Sequence, residues 1–271
     1  YDTLIFVIHN IKSVSIPPNI KRIAPKAFLG CQAENVFISK NVTVVCYNAF
    51  YCCDYLSKIE FEKGSNLLTI EDNAFTGSSI ETLIIPSNIQ KYWFYNWLNS
   101  SHILGEIIVY PNNEQNIMLY DNKFIIGKSD IKSNEYDILL FVPRNIKSIT
   151  IPSFIKIIGP SSFQNSLINN ILIPKNVIKI SISSFKNCNY LQNVDFQHDS
   201  KIEEIGSHTF HGSAIERFCM PSTVTKCGYN AFIICDNIII IELSENLKNF
   251  LLQKITCFKN EVLIMVPTNL S

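Results

Sequence analysis

The chain has 271 residues, with 23 Lys plus Arg against 23 Asp plus Glu, and so carries no net charge at neutral pH. That balance leaves no long-range field to draw in nucleic acid or an anionic membrane surface. An apolar share of 47% supplies ample core, yet no apolar run reaches the ~18 residues needed to span a bilayer, so no membrane contact is expected of this segment. The chain begins at Tyr1 with neither an initiator methionine nor a signal-peptide pattern, which reads as a processed product or a piece of something longer.

In chain order the predicted elements form a periodic series. Ile11, Val14, Ile16 and Asn19 set a register that returns at Ile80, Leu83, Ile85 and Asn88, at Leu104, Ile107, Val109 and Asn112, and at Ile168, Ile171, Ile173 and Asn176. Aligned on the third apolar position, the coils fall at 16, 38, 61, 85 and 109, then at 151, 173, 196, 220 and 243. A shift of 135 residues superimposes the two series: Ile16-Pro17 falls on Ile151-Pro152, and Phe28, Phe50 and Phe75 fall on Phe163, Phe185 and Phe210. Steps of 22 to 24 residues mark a solenoid, in which one unit cannot bury its apolar face alone and stacked neighbours share a core. The apolar spacing of three then two predicts a short strand at each alignment position, the flanking pair inward and the residue between them outward.

The Asn that follows six of the strands, at 19, 41, 88, 112, 176 and 246, suits a turn whose amide satisfies main-chain groups of a neighbouring coil. The return half of each coil carries Ala-Phe or a variant: Ala27-Phe28, Ala49-Phe50, Ala74-Phe75, Ser162-Phe163, Ser184-Phe185, Thr209-Phe210 and Ala231-Phe232. A small residue beside a large ring fits close coil-to-coil packing. Apolar pairs such as Ile20 and Ile23, Ile155 and Ile158, or Ile202 and Ile205 predict a second, less regular strand row on the return face. Three residues after each Phe stands Cys or Ser: Cys31, Cys53, Ser78, Ser166, Cys188, Ser213 and Cys235. That exchange reads as small and weakly polar.

The expected organisation is one solenoid over 1–271. A five-coil block covers 1–112, an inserted hairpin segment 113–145, a second five-coil block 146–249, and the start of another insert 250–271. Within the first insert, Phe124-Ile125-Ile126-Gly127 and Leu139-Leu140-Phe141-Val142 read as the two arms of the hairpin.

The combined pattern, Leu-x-x-Ile-x-Ile-Pro-x-Asn/Ser-Val-x-x-Ile-Gly-x-x-Ala-Phe-x-x-Cys, resembles the BspA-type leucine-rich repeat over nearly the whole chain, most clearly in residues 168–191 and 215–238. The resemblance implies a leucine-rich-repeat solenoid, a β-rich right-handed coil with a parallel sheet of short strands and little helix. It also implies kinship with surface antigens implicated in attachment to host cells, extracellular matrix and other microbes, hence a cell-surface or secreted location. One coil departs from the pattern: Tyr92-Trp93-Phe94-Tyr95-Asn96-Trp97-Leu98 puts Trp97 where a small residue belongs and Leu98 where Phe belongs.

Nine cysteines, an odd number, do not make a disulfide framework. Cys31 and Cys53 occupy equivalent sites of adjacent coils, near bonding range at a stacking of ~5 Å, but the exchange with Ser favours free thiols. Cys219, Cys227 and Cys235 are evenly spaced yet fall on different faces of a coil, and His208 and His211 read as turn residues. No phosphate loop, nucleophile elbow or zinc motif interrupts the repeat, so neither catalysis nor a metal or cofactor is expected. Two glycosylation sequons occur, at Asn41 on the Asn ladder and at Asn99 in the irregular coil, and Asn99 is the expected acceptor.

Outward positions on the strands are Ser15, Phe37, Glu60, Ile84, Ile108, Thr150, Leu172, Asp195, Cys219 and Glu242. An apolar row there, made of Phe37, Ile84, Ile108 and Leu172, is the expected binding surface, with Trp93 and Trp97 as a second candidate. The expected function is a non-catalytic surface module that binds a protein ligand on a host cell, matrix or another microbe. The alternative is an intracellular repeat scaffold, which fits the unpaired cysteines and neutral charge equally well.

Overall fold

A computed structural model of the chain describes residues 2–8, 10–90, 97, 106–112, 115–242 and 263–265. They belong to a β-solenoid of parallel short strands, arranged in two compact units, Tyr1–Tyr136 and Asp137–Ser271. In the first unit the front strands Ser13–Ser15, Asn35–Ile38, Lys58–Phe61, Thr82–Pro86 and Glu106–Tyr110 form one five-stranded parallel sheet. Its return row is a parallel series of two-residue strands, Thr3–Leu4, Arg22–Ile23, Val44–Val45 and Thr69–Ile70. The second unit repeats the return row with Ile138–Phe141, Ile157–Ile158, Lys179–Ile180, Glu204–Ile205 and Lys226–Cys227. Among the described residues, helix is confined to Trp97.

Nine of the ten expected front strands form, and the exception is 149–151. Gln197 N–H donates to Ile173 O one coil back, and the equivalent residue facing Ile151 is Pro174, which has no N–H, so this coil lacks one front rung. In the inserted segment, Ile117–Tyr120, which the sequence reading missed, pairs antiparallel with Phe124–Gly127. The turn between them uses Asp121 and Asn122, both at φ 50°, with Lys123 N–H bonded to Tyr120 O at 3.0 Å.

The turn around each Phe is the most regular part of the coil. Residues two before and two after the ring adopt positive φ: Lys26 and Gly30, Asn48 and Cys52, Asn73 and Gly77, Ser161 and Asn165, Ser183 and Asn187, His208 and Gly212, Asn230 and Ile234. This alternation lets the turn bond to the next coil. Phe28, Phe50, Phe75, Phe163, Phe185 and Phe210 each donate N–H to the carbonyl of the small-residue position one coil on, at 2.7–2.9 Å. Trp97 fills that small-residue place for Phe75. The rings stack along each unit, Phe28 to Phe50 at 4.4 Å and Phe163 to Phe185 at 4.7 Å between centroids. All are buried, as expected.

Cys53, Cys188 and Cys235 point their Sγ at the carbonyls of Phe28, Phe163 and Phe210, each at 3.0 Å. Ser78 turns its hydroxyl onto its own coil's Phe75 O. One weak donor in a small space is what the position needs, so Cys and Ser exchange there. The Asn side chains act as expected: Asn41 Nδ2 donates to Pro18 O, Asn88 to Leu67 O and Asn176 to Ser153 O.

Candidate functional site

Strand register places Ser15, Phe37, Glu60, Ile84 and Ile108 side by side across the front sheet of the first unit. A second outward row, Ser13, Asn35, Lys58, Thr82 and Glu106, runs beside it. Phe37 is 38% exposed because its neighbour on one side is the small Ser15. Ile108 is half-buried. Ile84, between Glu60 and Ile108, is only 5% exposed, which corrects the expectation of an open apolar row: two large neighbours leave it little surface. Lys58 closes over Glu60 at 2.9 Å, so the middle of the face is a half-buried ion pair. Such a pair adds little stability.

In the second unit Leu172 is 51% exposed and registers against Asp195, which is also exposed. Phe37 and Leu172 occupy the same repeat position, 135 residues apart. Trp97 is 1% exposed, a correction to its place among surface candidates: its carbonyl is held in the Phe ladder and its ring lies in the interior. Trp93 and Asn99 lie outside the described residues.

The sequence reading passed over a further apolar group beside the Phe turns: Leu29, Tyr51, Tyr47 and Tyr55 are all exposed. Leu29 and Tyr51 directly follow Phe28 and Phe50, so the signal was a large side chain right after these two buried rings.

Chemical reactivity is suppressed in the interior. Burial pushes the Cys53 thiol up to about 12 and the Cys188 thiol to about 11. Cys31, Cys53 and Cys235 are free thiols. Burial, with Lys186 and His208 nearby, pulls the His211 imidazole down. Among the described residues no three His, Cys, Asp or Glu stand together so as to hold a metal ion, and no helix is long and apolar enough to cross a membrane.

A profile of the BspA type Leucine rich repeat region matches residues 4–117 and 139–264, in 6 copies. No curated protein matches the chain by sequence. Among solved structures, the pneumococcal vaccine antigen PcpA is similar with a TM-score of 0.55 at 14% identity, over 96% of this chain and 90% of that one. A leucine rich cell surface protein from Faecalibacterium prausnitzii is similar with a TM-score of 0.52 at 16% identity, over 96% of this chain and 89% of that one. At such identity these likenesses speak for the fold.

Proposed function

Because the chain belongs to the BspA-type leucine-rich repeat family, a family of repeat protein-interaction modules, we propose that it is a non-catalytic adhesin segment displayed at a cell surface. Its ligand in this reading is a protein on a host cell, in extracellular matrix or on another microbe. The observation that carries the reading is the pair Phe37 and Leu172, large apolar side chains kept exposed at one repeat position in both units. Outward sheet positions are ordinarily polar, and apolar anchors dominate interface energies while rim charges contribute little. The surface location draws on the structural relatives, one described as a vaccine antigen and the other as a cell surface protein. Asn99 is the proposed glycan acceptor, since Asn41 already uses Nδ2, the atom a glycan would take, to hold Pro18 O at 2.7 Å.

The double variant Phe37→Ser, Leu172→Ser tests the reading. Attachment to epithelial cells or immobilised matrix proteins should fall at least ~10-fold with an unchanged melting temperature. Full attachment by a folded double variant would remove the front face as the site. Antibody labelling of intact source cells tests the location, and a signal seen only after permeabilisation would favour the intracellular scaffold.

A further inference from the structure

The front ladder of the second unit has a gap. Asn170–Ile173 pairs with Asn193–Phe196, and Arg217–Cys219 pairs with Ile240–Glu242, but Asn193–Phe196 and Arg217–Cys219 belong to separate sheets. The return side of the same two coils stays closed. Glu204–Ile205 pairs with Lys226–Cys227, and Gly228 N–H reaches Ile205 O at 2.7 Å. The coils are therefore splayed at the front only.

Side-chain size explains the splay. Phe218 stands in the inward row otherwise held by Val14, Val36, Ile59, Leu83, Ile107 and Ile171. Its ring meets Phe232 at 4.9 Å, Phe210 at 5.2 Å and Phe196 at 5.8 Å between centroids. An aromatic ring in a space sized for an aliphatic chain forces backbone apart. Pro221 removes the N–H that Gln197 uses one coil earlier, though Pro86, the last residue of a paired strand, shows that proline alone does not open the sheet. At the back, a Cβ on Gly228 would lie 2.2 Å from Ser207 N and one on Gly206 2.5 Å from Ile182 N, so glycine permits a close approach both at the open step and at the paired one before it.

A crevice of about 770 Å³ opens at the gap. Val194, Phe196 and Met220 line its floor, and Asp195, Asp199 and Arg217 are among its polar walls. Phe196 is half-buried, as is Val109 in the last strand of the first unit's ladder, although their counterparts Ile16, Ile38, Phe61, Ile85 and Ile173 are buried. The gap has thus uncovered part of a ring that the repeat would otherwise seal. Asn193–Phe196 and Arg217–Cys219 are not laddered here, although the two strands stay too close for a further strand to enter between them.

We propose that this crevice binds an extended peptide segment of a partner protein, one carrying an apolar side chain and a neighbouring basic residue. Lying over the gap, such a segment covers Phe196 and Met220 with its apolar side chain, and two carboxylates against one guanidinium favour a cation. The proposal rests on the reading of the chain as a protein-interaction module and gives that module a second locus, apart from Phe37 and Leu172.

The test is selection of a phage-displayed random decapeptide library on the full chain, with enriched peptides remade and measured by fluorescence anisotropy. Enriched peptides should pair apolar with basic residues and lose at least ~10-fold in affinity when either residue is replaced by alanine. Ser222→Trp, at an exposed position on the crevice wall, should weaken them as much without changing the melting temperature. Phe218→Leu should restore the ladder, seen as slower amide exchange over 194–197, and weaken them too. No enrichment, or peptides that bind Ser222→Trp as tightly as the unmodified chain, would overturn the proposal. Peptides that ignore Ser222→Trp but fail on the Phe37→Ser, Leu172→Ser variant would overturn the crevice while leaving the module reading intact.

Discussion

In Tyr1–Tyr136 the front strands form one unbroken five-stranded ladder, whereas in Asp137–Ser271 the ladder stops after Asn193–Phe196 and resumes at Arg217–Cys219. The return faces do not differ in this way: both units keep the two-residue strands, the stacked rings and the Cys or Ser beneath them. The comparison separates two jobs within one repeat. The Phe turn holds coils together through several hydrogen bonds and a ring per step, so a coil survives losing its front rungs. The front face is thereby released to vary, and surface recognition is the work that uses such freedom.

If the Phe turn is the common anchor, Phe50→Ala in the first unit and Phe185→Ala in the second should each cost about 3–5 kcal/mol, from lost transfer energy plus a cavity. Urea melts of both variants measure it. A loss below ~1 kcal/mol in either unit would show that unit to be held by its front sheet instead.

The next effect is steric and specific to the second unit. The position four before each Phe is Ala24, Cys46 and Glu71 in the first unit but Gly159, Gly206 and Gly228 in the second, with Ser181 among them. Gly228→Ala should cost about 1–3 kcal/mol, because the added Cβ meets the Ser207 main chain rather than a movable side chain. A neutral Gly228→Ala would mean that the back of this pair of coils can relax to admit a side chain.

A stabilising change is expected at Ile234. Its φ of 57° is matched at equivalent places by glycine or asparagine in most coils, and a β-branched residue there is strained by roughly 1–2 kcal/mol. Since Ile234 is 45% exposed, Ile234→Asn forfeits little burial and should raise stability by about 1 kcal/mol, read as a shift in the thermal melt.

The smallest effect vanishes at neutral pH. Cys53 and Cys188 have folded-state values raised by burial to about 12 and about 11, from an ordinary value near 9. Groups raised in this way contribute stability that is complete below the unfolded value and is lost as pH climbs toward the folded one. Melts should therefore weaken from about pH 9 upward. Cys53→Ser in the first unit and Cys188→Ser in the second should each flatten that slope, and an unchanged slope would place the titration elsewhere.

Much of this was legible because a repeat states the same instruction many times. The registers of Ile16, Ile38, Phe61 and Ile85, the buried rings and the Asn side chains bonded to the preceding coil all follow from spacing and residue type. Exposure of the candidate site was less legible. Phe37 and Ile84 share one outward position, and only their neighbours across the sheet, Ser15 against Glu60 and Ile108, leave the first open and the second covered. Cross-strand neighbours are more than 20 residues away in sequence, so reading one strand at a time does not weigh them.

Sequence by itself determined the coil: its length, its inward and outward positions, its small-residue and ring turn, and the absence of net charge. Tertiary structure alone decided which copies of the same words are seen by solvent. Leu4-Ile5-Phe6-Val7 and Leu139-Leu140-Phe141-Val142 are equivalent in the repeat, yet Ile5 and Phe6 are 74% and 58% exposed while Leu140 and Phe141 are 3% and 1% exposed. Likewise, nothing in the pattern around Phe218 announces that its ring breaks the ladder. Burial and strand pairing are properties of what lies against a segment, and in a solenoid that is always another coil, a full period away along the chain.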